Sequence, residues 1–197
     1  MITDEQREAV DGIDGAVIAP DSKGEDFLIV DGWDVAREVE NALNPNKIVS
    51  PESYDTPSID TVFNDNWGFS DEYAVCDDCG TVIRTSPDSY SWKPDFWVSD
   101  GEIRCGDCVR DNPADYIASL LDNPESANTI LSDDELKENG FVKVNPDSYE
   151  NGWYDKQDEP KDILATAQDK EPDSEFLFSV NGEGQFYTKF DLWKRSK

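Results

Sequence analysis

The sequence contains no histidine among its 197 residues. Imidazole changes its charge close to neutral pH, and it is a common general base and metal ligand of enzymes. Its absence excludes Ser-His and Cys-His nucleophile pairs as well as any catalytic metal held by histidine. We therefore predict a protein that is not an enzyme.

Long apolar runs are also missing. No segment approaches the ~20 consecutive apolar residues of a membrane span, and no N-terminal stretch combines basic residues with an apolar run, as a secretory signal would. Hydrophobic residues make up 37% of the chain and aromatic residues 11%, which favours a folded protein over a disordered one. We expect a soluble, cytoplasmic protein without a membrane partner.

Basic residues are scarce relative to acidic ones. The chain has 17 Lys and Arg against 45 Asp and Glu, for a formal net charge of −28. Residues 1–70 hold 16 acids and 4 bases, residues 71–125 hold 13 and 4, and residues 126–197 hold 16 and 9. A chain that is acidic throughout repels nucleic acids and anionic membranes and is attracted to basic surfaces. We predict a partner protein with a basic nucleic-acid-binding surface, and no direct binding of nucleic acid.

The average charge density is too low to imitate duplex DNA without local concentration. A folded chain of 22.2 kDa exposes roughly 9,400 Å², which is about one net charge per 340 Å². Duplex DNA has about one charge per 110 Å², so only a face with concentrated carboxylates could match it. Adaptation to high salt is an alternative explanation of the acidity. However, 11 of the 17 bases are lysine, a residue that salt-adapted proteins are expected to use sparingly.

The N-terminal part predicts a hairpin-plus-helix unit over residues 1–44. Thr3 and Gln6 have the spacing of a capping box at the start of a short helix. The apolar runs "GAVIAP" and "DFLIVDG" predict a β-hairpin, and "DVAREVENALN" has helical periodicity behind an expected N-cap at Asp34. Residues 45–70, rich in Pro, Ser, Asn and Asp, predict a linker or long loop.

The remaining chain predicts two further parts. Residues 71–125 hold all four cysteines and a following helix, and residues 126–197 predict a C-terminal helix-plus-hairpin unit. Ser132 and Glu135 form a second capping-box pattern, and the Asn-Gly pair in "SVNGEGQF" predicts a hairpin turn. The predicted fold class is α+β, with small antiparallel hairpins and short helices around a central four-cysteine module.

The cysteines form two Cys-x-x-Cys pairs, Cys76 with Cys79 and Cys105 with Cys108, and 25 residues lie between the pairs. This pattern is typical of a tetrahedral zinc site in which each pair supplies two sulfurs. Four thiolates fill the coordination shell, so the predicted cofactor is a structural zinc ion, with iron–sulfur as the main alternative. Disulfides need an oxidising compartment, which is disfavoured because the N-terminal stretch does not resemble a secretory signal. A redox Cys-x-x-Cys normally occurs once, whereas this chain has two such pairs.

The cysteine segment resembles a zinc ribbon or, because a helix is predicted soon after Cys108, a treble clef. The resemblance covers about 40 residues and implies a metal and a local shape, not an activity. In this interpretation the metal staples a hairpin that contains Trp92, Phe96 and Trp97.

Charge, size and the lack of catalytic residues resemble the acidic anti-restriction and anti-CRISPR proteins of phages and plasmids. This resemblance implies a non-enzymatic inhibitor or decoy, a DNA mimic, which occupies the nucleic-acid site of another protein. The alternative is a zinc-ribbon accessory subunit of a larger assembly, such as a polymerase or a virion. Binding by a decoy should weaken steeply with salt, whereas apolar anchors should hold an accessory subunit in place.

Three acidic groups are the candidate partner-binding residues. The knuckle group is Asp71, Glu72, Asp77 and Asp78; the helix group is Asp133, Asp134 and Glu135; the Pro160 group is Asp155, Asp158, Glu159 and Asp162. Acids are favoured at helix N-termini in any protein, so solvated turns are the alternative explanation. The decoy hypothesis requires at least two groups on one face.

Overall fold

A computed structural model describes residues 2–44, 59–86, 95–122, 129–144, 160–184 and 187–197. The chain divides into two compact units, Met1–Cys108 and Val109–Lys197. The structure combines helices with small, mainly antiparallel sheets, which confirms the α+β class.

The first unit begins with three helices and a three-stranded sheet. The elements are α1 (Asp4–Asp11), β1 (Ala16–Pro20), β2 (Asp26–Val30), α2 (Gly32–Leu43), α3 (Ile59–Phe63) and β3 (Trp67–Phe69). The strand order is β1-β2-β3. Strands β1 and β2 form the predicted hairpin, while β3 pairs with β2 in parallel. This parallel pair was not predicted from the sequence, and it adds a third strand to the predicted hairpin.

Two helix starts test the sequence rules. The capping box at Thr3 and Gln6 is present. The expected N-cap at Asp34 is wrong, because α2 begins at Gly32 with Asp31 as its N-cap. Strand β2 ends at Val30, and the positive φ of 83° at Gly32 allows the chain to turn into the helix at once.

The predicted linker at 45–70 is structured in its described part. Residues 59–70 contain α3 and β3, and Ile59 and Phe63 are buried in the core of the first unit. That core also contains Val10, Leu28 and Val39, from α1, β2 and α2. Residues 45–58 lie outside the described part of the chain.

The cysteine segment forms two antiparallel hairpins and a short helix. They are β4 (Tyr73–Val75) with β5 (Val82–Arg84), β6 (Phe96–Ser99) with β7 (Glu102–Cys105), and α4 (Gly106–Asp111). Asp100 and Gly101 have φ of 53° and 85° and make the tight turn between β6 and β7. Trp92, predicted for this hairpin, lies outside the described residues.

Tyr73 joins the cysteine segment to the N-terminal sheet. Its ring lies 4.8 Å from the ring of Phe27 and directly over Gly68, where any Cβ would overlap with it. Gly68 is thus required by close packing, because a larger residue would displace the tyrosine.

In the second unit, the described residues form three more helices and a three-stranded antiparallel sheet. The elements are α5 (Ala114–Asp122), α6 (Asp133–Glu138), β8 (Val142–Val144), α7 (Pro160–Lys170), β9 (Ser174–Gly184) and β10 (Tyr187–Ser196), and the strand order is β8-β10-β9. The capping box of Ser132 and Glu135 is present at α6. Among the helices of the described residues, none combines the length and apolar character needed to cross a membrane.

The predicted turn at Asn181-Gly182 is wrong. Strand β9 continues through this pair to Gly184. Val180 pairs with Phe190 and Gly182 with Lys189, so Asn181 is an extra residue that forms a β-bulge. The Asn-Gly pair therefore lies at a bulge within the β9–β10 pairing and does not end the strand.

The C-terminal sheet is covered on both faces. Phe176, Phe178 and Leu192 pack with Ile163 and neighbouring residues of α7. Leu177 and Trp193 are also buried, and the indole Nε1–H of Trp193 donates to Ser179 Oγ at 2.8 Å. Helix α5 also packs against β9. Leu177 and Trp193 therefore belong to a second buried face of the sheet.

Candidate metal centre

The four cysteine sulfurs converge on one point of the first unit. All four Sγ atoms lie within 4.8 Å of one another. Cys76 Sγ is 3.8 Å from Cys108 Sγ, and Cys79 Sγ is 3.8 Å from Cys105 Sγ. A disulfide bond is about 2.05 Å long, and all four residues are free thiols.

These distances fit a tetrahedral metal ion. Zinc–sulfur bonds of about 2.3 Å at tetrahedral angles put the sulfurs about 3.8 Å apart. The two measured pairs, each joining one knuckle to the other, have this separation. The four cysteines could therefore hold a metal ion between them, and tetrahedral four-sulfur sites hold zinc or iron.

The first knuckle is closed by backbone hydrogen bonds. The amide of Cys76 donates to the carbonyl of Thr81 at 2.9 Å, and the amide of Gly80 donates to the carbonyl of Cys76 at 2.8 Å. Gly80 has a φ of 71°, which glycine adopts without strain. The turn brings Cys76 and Cys79 to the same side of the loop.

The second knuckle joins β7 to α4. Cys105 is the last residue of β7, and Cys108 lies in the first turn of α4. The amide of Gly106 donates to the carbonyl of Asp95 at 2.8 Å, which fixes the bend between strand and helix. The amide of Cys108 also points to Cys105 Sγ, at 3.5 Å, and such N–H groups stabilise a thiolate ligand.

Two contacts fasten the knuckles to each other. The amide of Asp77 donates to the carbonyl of Ile103 at 2.9 Å, and the amide of Ile103 donates to the Asp77 carboxylate at 2.6 Å. The amide of Cys105 points to Cys76 Sγ at 3.3 Å. The arrangement of the sulfurs is thus supported by backbone groups around them.

The surroundings of Cys79, Cys105 and Cys108 shift the pKa values of their thiols. A hydrogen bond with the Thr81 side chain is the main cause that lowers the pKa of Cys79 to about 6. Burial raises the pKa of Cys105, and burial together with the neighbouring sulfurs raises the pKa of Cys108. One thiol is thus favoured as thiolate while others resist ionisation. A divalent cation would offset the repulsion between neighbouring thiolates, so that metal binding can deprotonate all four ligands.

Thr81 was not singled out from the sequence. Its signal was available: it is a hydroxyl residue two positions after a cysteine ligand. Arg104 was also missed, although it directly precedes Cys105. Its guanidinium lies 3.4 Å from Asp78 and 3.0 Å from Glu102, and 5.5 Å from the centre of the Trp97 ring. It links the first knuckle to the β6–β7 hairpin.

Part of the knuckle group has a structural role. Asp71, Asp77 and Asp78 are exposed and Glu72 is half-buried. The carboxylate of Asp77 accepts the Ile103 amide, and that of Asp78 pairs with Arg104. Asp77 and Asp78 therefore hold the knuckle in addition to any role toward a partner.

The helix group is ion-paired within the second unit. Asp133 lies 2.8 Å from Lys143, Asp134 lies 2.7 Å from Lys137, and Glu135 lies 3.5 Å from Arg110. Each of these cations reduces the local negative charge. In the Pro160 group, Asp162 is exposed in the first turn of α7. The other members, Asp155, Asp158 and Glu159, lie outside the described residues.

Comparisons with protein-family models, with curated proteins and with solved structures found no match for the chain. The resemblance to anti-restriction and anti-CRISPR proteins therefore stays a prediction from charge, size and the absence of histidine.

Proposed function

We propose that the chain is a non-enzymatic acidic binding protein, stapled by one structural zinc ion, whose partner carries a basic nucleic-acid-binding surface. In this proposal the protein acts as a decoy that keeps nucleic acid from its partner, as acidic anti-restriction and anti-CRISPR proteins do. The metal shapes the protein and takes no part in chemistry.

A structural role for the metal is supported by the closed geometry of its ligands. Four sulfurs at the corners of a tetrahedron leave no position for a water or a substrate. The segment order is that of a treble clef: a knuckle, a hairpin, and a helix whose first turn carries the last ligand, Cys108. Zinc with four thiolates has a formal charge of −2, so metal binding adds no attraction for nucleic acid.

The observation that carries the binding proposal is the charge. The excess of 45 acids over 17 bases extends over the whole chain. Among the described acids, Asp71 and Asp162 are exposed to solvent. Surfaces of this sign steer association with basic partners and repel competing polyanions.

Salt dependence and competition test the proposal. Immobilised protein would capture partners from a lysate, and each captured protein would then be purified and titrated with and without duplex DNA at low and high salt. We expect DNA to compete and the affinity to fall steeply with salt. Binding that survives high salt and ignores DNA would contradict the decoy role. A double charge reversal, Asp71→Lys with Asp162→Lys, should slow association while leaving zinc content unchanged.

One observation favours the accessory-subunit alternative. Val98 is 56% exposed on the β6–β7 hairpin, directly before the turn that leads to the second knuckle. Docking of this hairpin on a larger assembly would remove the exposed apolar side chain from water, which is favourable. In that case Val98→Ser should weaken binding, and salt should have little effect.

A further inference from the structure

Three aromatic rings form a surface patch on the first unit. Trp33 lies in the first turn of α2, and Trp67 and Phe69 lie on β3. The Trp33 ring centre is 5.0 Å from that of Phe69 and 6.4 Å from that of Trp67, with the rings tilted by 64° and 74°. Trp67 and Phe69 pack partly against the core. Trp33 lies over them and is 59% exposed, the most exposed large hydrophobic residue in the described part of the chain.

Acidic residues flank the three rings along the chain. The two stretches that supply the rings, residues 31–38 and 64–72, contain six acids and one base. Ser70 Oγ donates to Asp31 Oδ1 at 3.1 Å, so the Asp31 carboxylate is fixed beside the end of β3. Asp34 follows Trp33 directly, and its side chain is 95% exposed although it contacts Arg37. We call Asp31 and Asp34 the acidic rim of the aromatic patch.

The rim outweighs the opposing charge of the helix. The N-terminus of α2 carries roughly half a positive charge from the helix dipole. Asp31 and Asp34 place two carboxylates within that same turn. Arg37, which pairs with Asp34, offsets one of these carboxylates, so the balance at this turn is about half a negative charge and still favours a cation.

An indole face within an acidic rim has the chemistry that selects arginine. The guanidinium is weakly hydrated and planar, so it stacks on aromatic rings and forms ion pairs at the same time. Tryptophan and arginine are also the residues most enriched among those that dominate binding energy. Lysine fits less well because its ammonium group is compact and strongly hydrated.

We propose that the aromatic patch of Trp33, Trp67 and Phe69, with Asp31 and Asp34, docks an arginine-bearing segment of the basic partner. This inference rests on the proposed function and adds where the partner makes contact and which of its residues carries the contact. The occupant is chosen by charge complementarity, because a second copy of this acidic rim would repel the first.

The test uses a blocked, glycine-spaced peptide with three arginines and a matching peptide with three lysines. Each is titrated into the full chain at physiological salt, and the Trp33 indole N–H signal is followed by NMR and assigned from its loss in Trp33→Phe. We expect saturable shifts of this signal and tighter binding of the arginine peptide. Trp33→Leu, which keeps an apolar side chain, should weaken arginine binding about two- to fivefold. Trp33→Phe should weaken it less, and the control Val142→Ala, at an exposed apolar position of the second unit, should not change it.

Two results would overturn the inference. One is equal affinity of the parent and Trp33→Leu for the arginine peptide, with unchanged melting temperatures. The other is concentration-dependent dimerisation in sedimentation velocity that Trp33→Leu abolishes, since the patch would then be covered by a second copy. Either result can occur while captured partners still compete with DNA, so the decoy proposal would stand. Conversely, the arginine peptide could bind at Trp33 while DNA fails to compete for the captured partners. That result would contradict the decoy role and leave the arginine-docking inference intact.

Discussion

Replacement of a single cysteine should release the metal and unfold the cysteine segment. Sulfur–sulfur distances of 3.8 Å correspond to a metal–sulfur bond of about 2.3 Å at the centre of a tetrahedron. X-ray absorption of the purified protein should therefore show four sulfurs at about this distance, and elemental analysis should show one zinc per chain. If iron occupies the site, the sulfur count stays the same and the element changes.

The expected loss of stability is large. Structural zinc contributes about 10–16 kcal/mol in small zinc domains, whereas whole domains are stable by only about 5–15 kcal/mol. Cys79→Ser and Cys108→Ser remove one ligand from each knuckle, and both should leave the segment unable to fold. The exposed Val98→Ser, on the neighbouring hairpin, is the matched control and should retain one zinc.

Hydrogen exchange at Asp77 and Ile103 gives the local measurement. The Asp77 amide bonds to Ile103, and the Ile103 amide bonds to the Asp77 carboxylate. Both amides should therefore exchange slowly in the parent and in Val98→Ser, and rapidly in the cysteine variants or after chelation. A folded parent with four free thiols and neither zinc nor iron would refute the argument. So would cysteine variants in which both amides remain protected.

Two further predictions concern packing and pH. Gly68→Ala should destabilise the first unit by about 1–3 kcal/mol in chemical denaturation, because the new methyl group must displace the Tyr73 ring. The additional change Tyr73→Leu should recover part of this loss, and additive losses would show that the two residues are not in contact. Hydrogen bonds from Ser132 lower the pKa of Glu135, with a smaller contribution from Arg110, so its stabilisation is complete above the unfolded pKa and is lost as pH falls through the folded one. The melting temperature of the parent should accordingly exceed that of Glu135→Gln near neutral pH and approach it below about pH 4, whereas a constant difference would contradict the assignment.

Local rules predicted the features that depend on adjacent residues. Both capping boxes, at Thr3 and at Ser132, need only four consecutive residues and are present. The two Cys-x-x-Cys pairs could also be recognised from the sequence, because the turn of each knuckle fixes the spacing of its two cysteines. The convergence of the two pairs was expected because a metal ion shared by both pairs would require it.

The errors arise where distant contacts decide the structure. Strand β3 is only three residues long, and its parallel partner β2 lies far away in the sequence, so no local pattern marks it. Asn181-Gly182 has the composition of a turn, but the long pairing of β9 with β10 continues past it and converts it into a bulge. Trp193 and Leu177 are buried because a second layer covers the sheet, which alternation within one strand cannot indicate.

The parallel pairing of β3 with β2 also delays the completion of the first unit during translation. At typical synthesis rates, β3 emerges roughly 2–8 s after β2. In that interval the backbone edge of β2 that later accepts Trp67 to Phe69 is open to other chains. Tyr73, which covers Phe27, follows later still. A nascent chain paused before residue 67 therefore presents an unpaired strand from which aggregation can start.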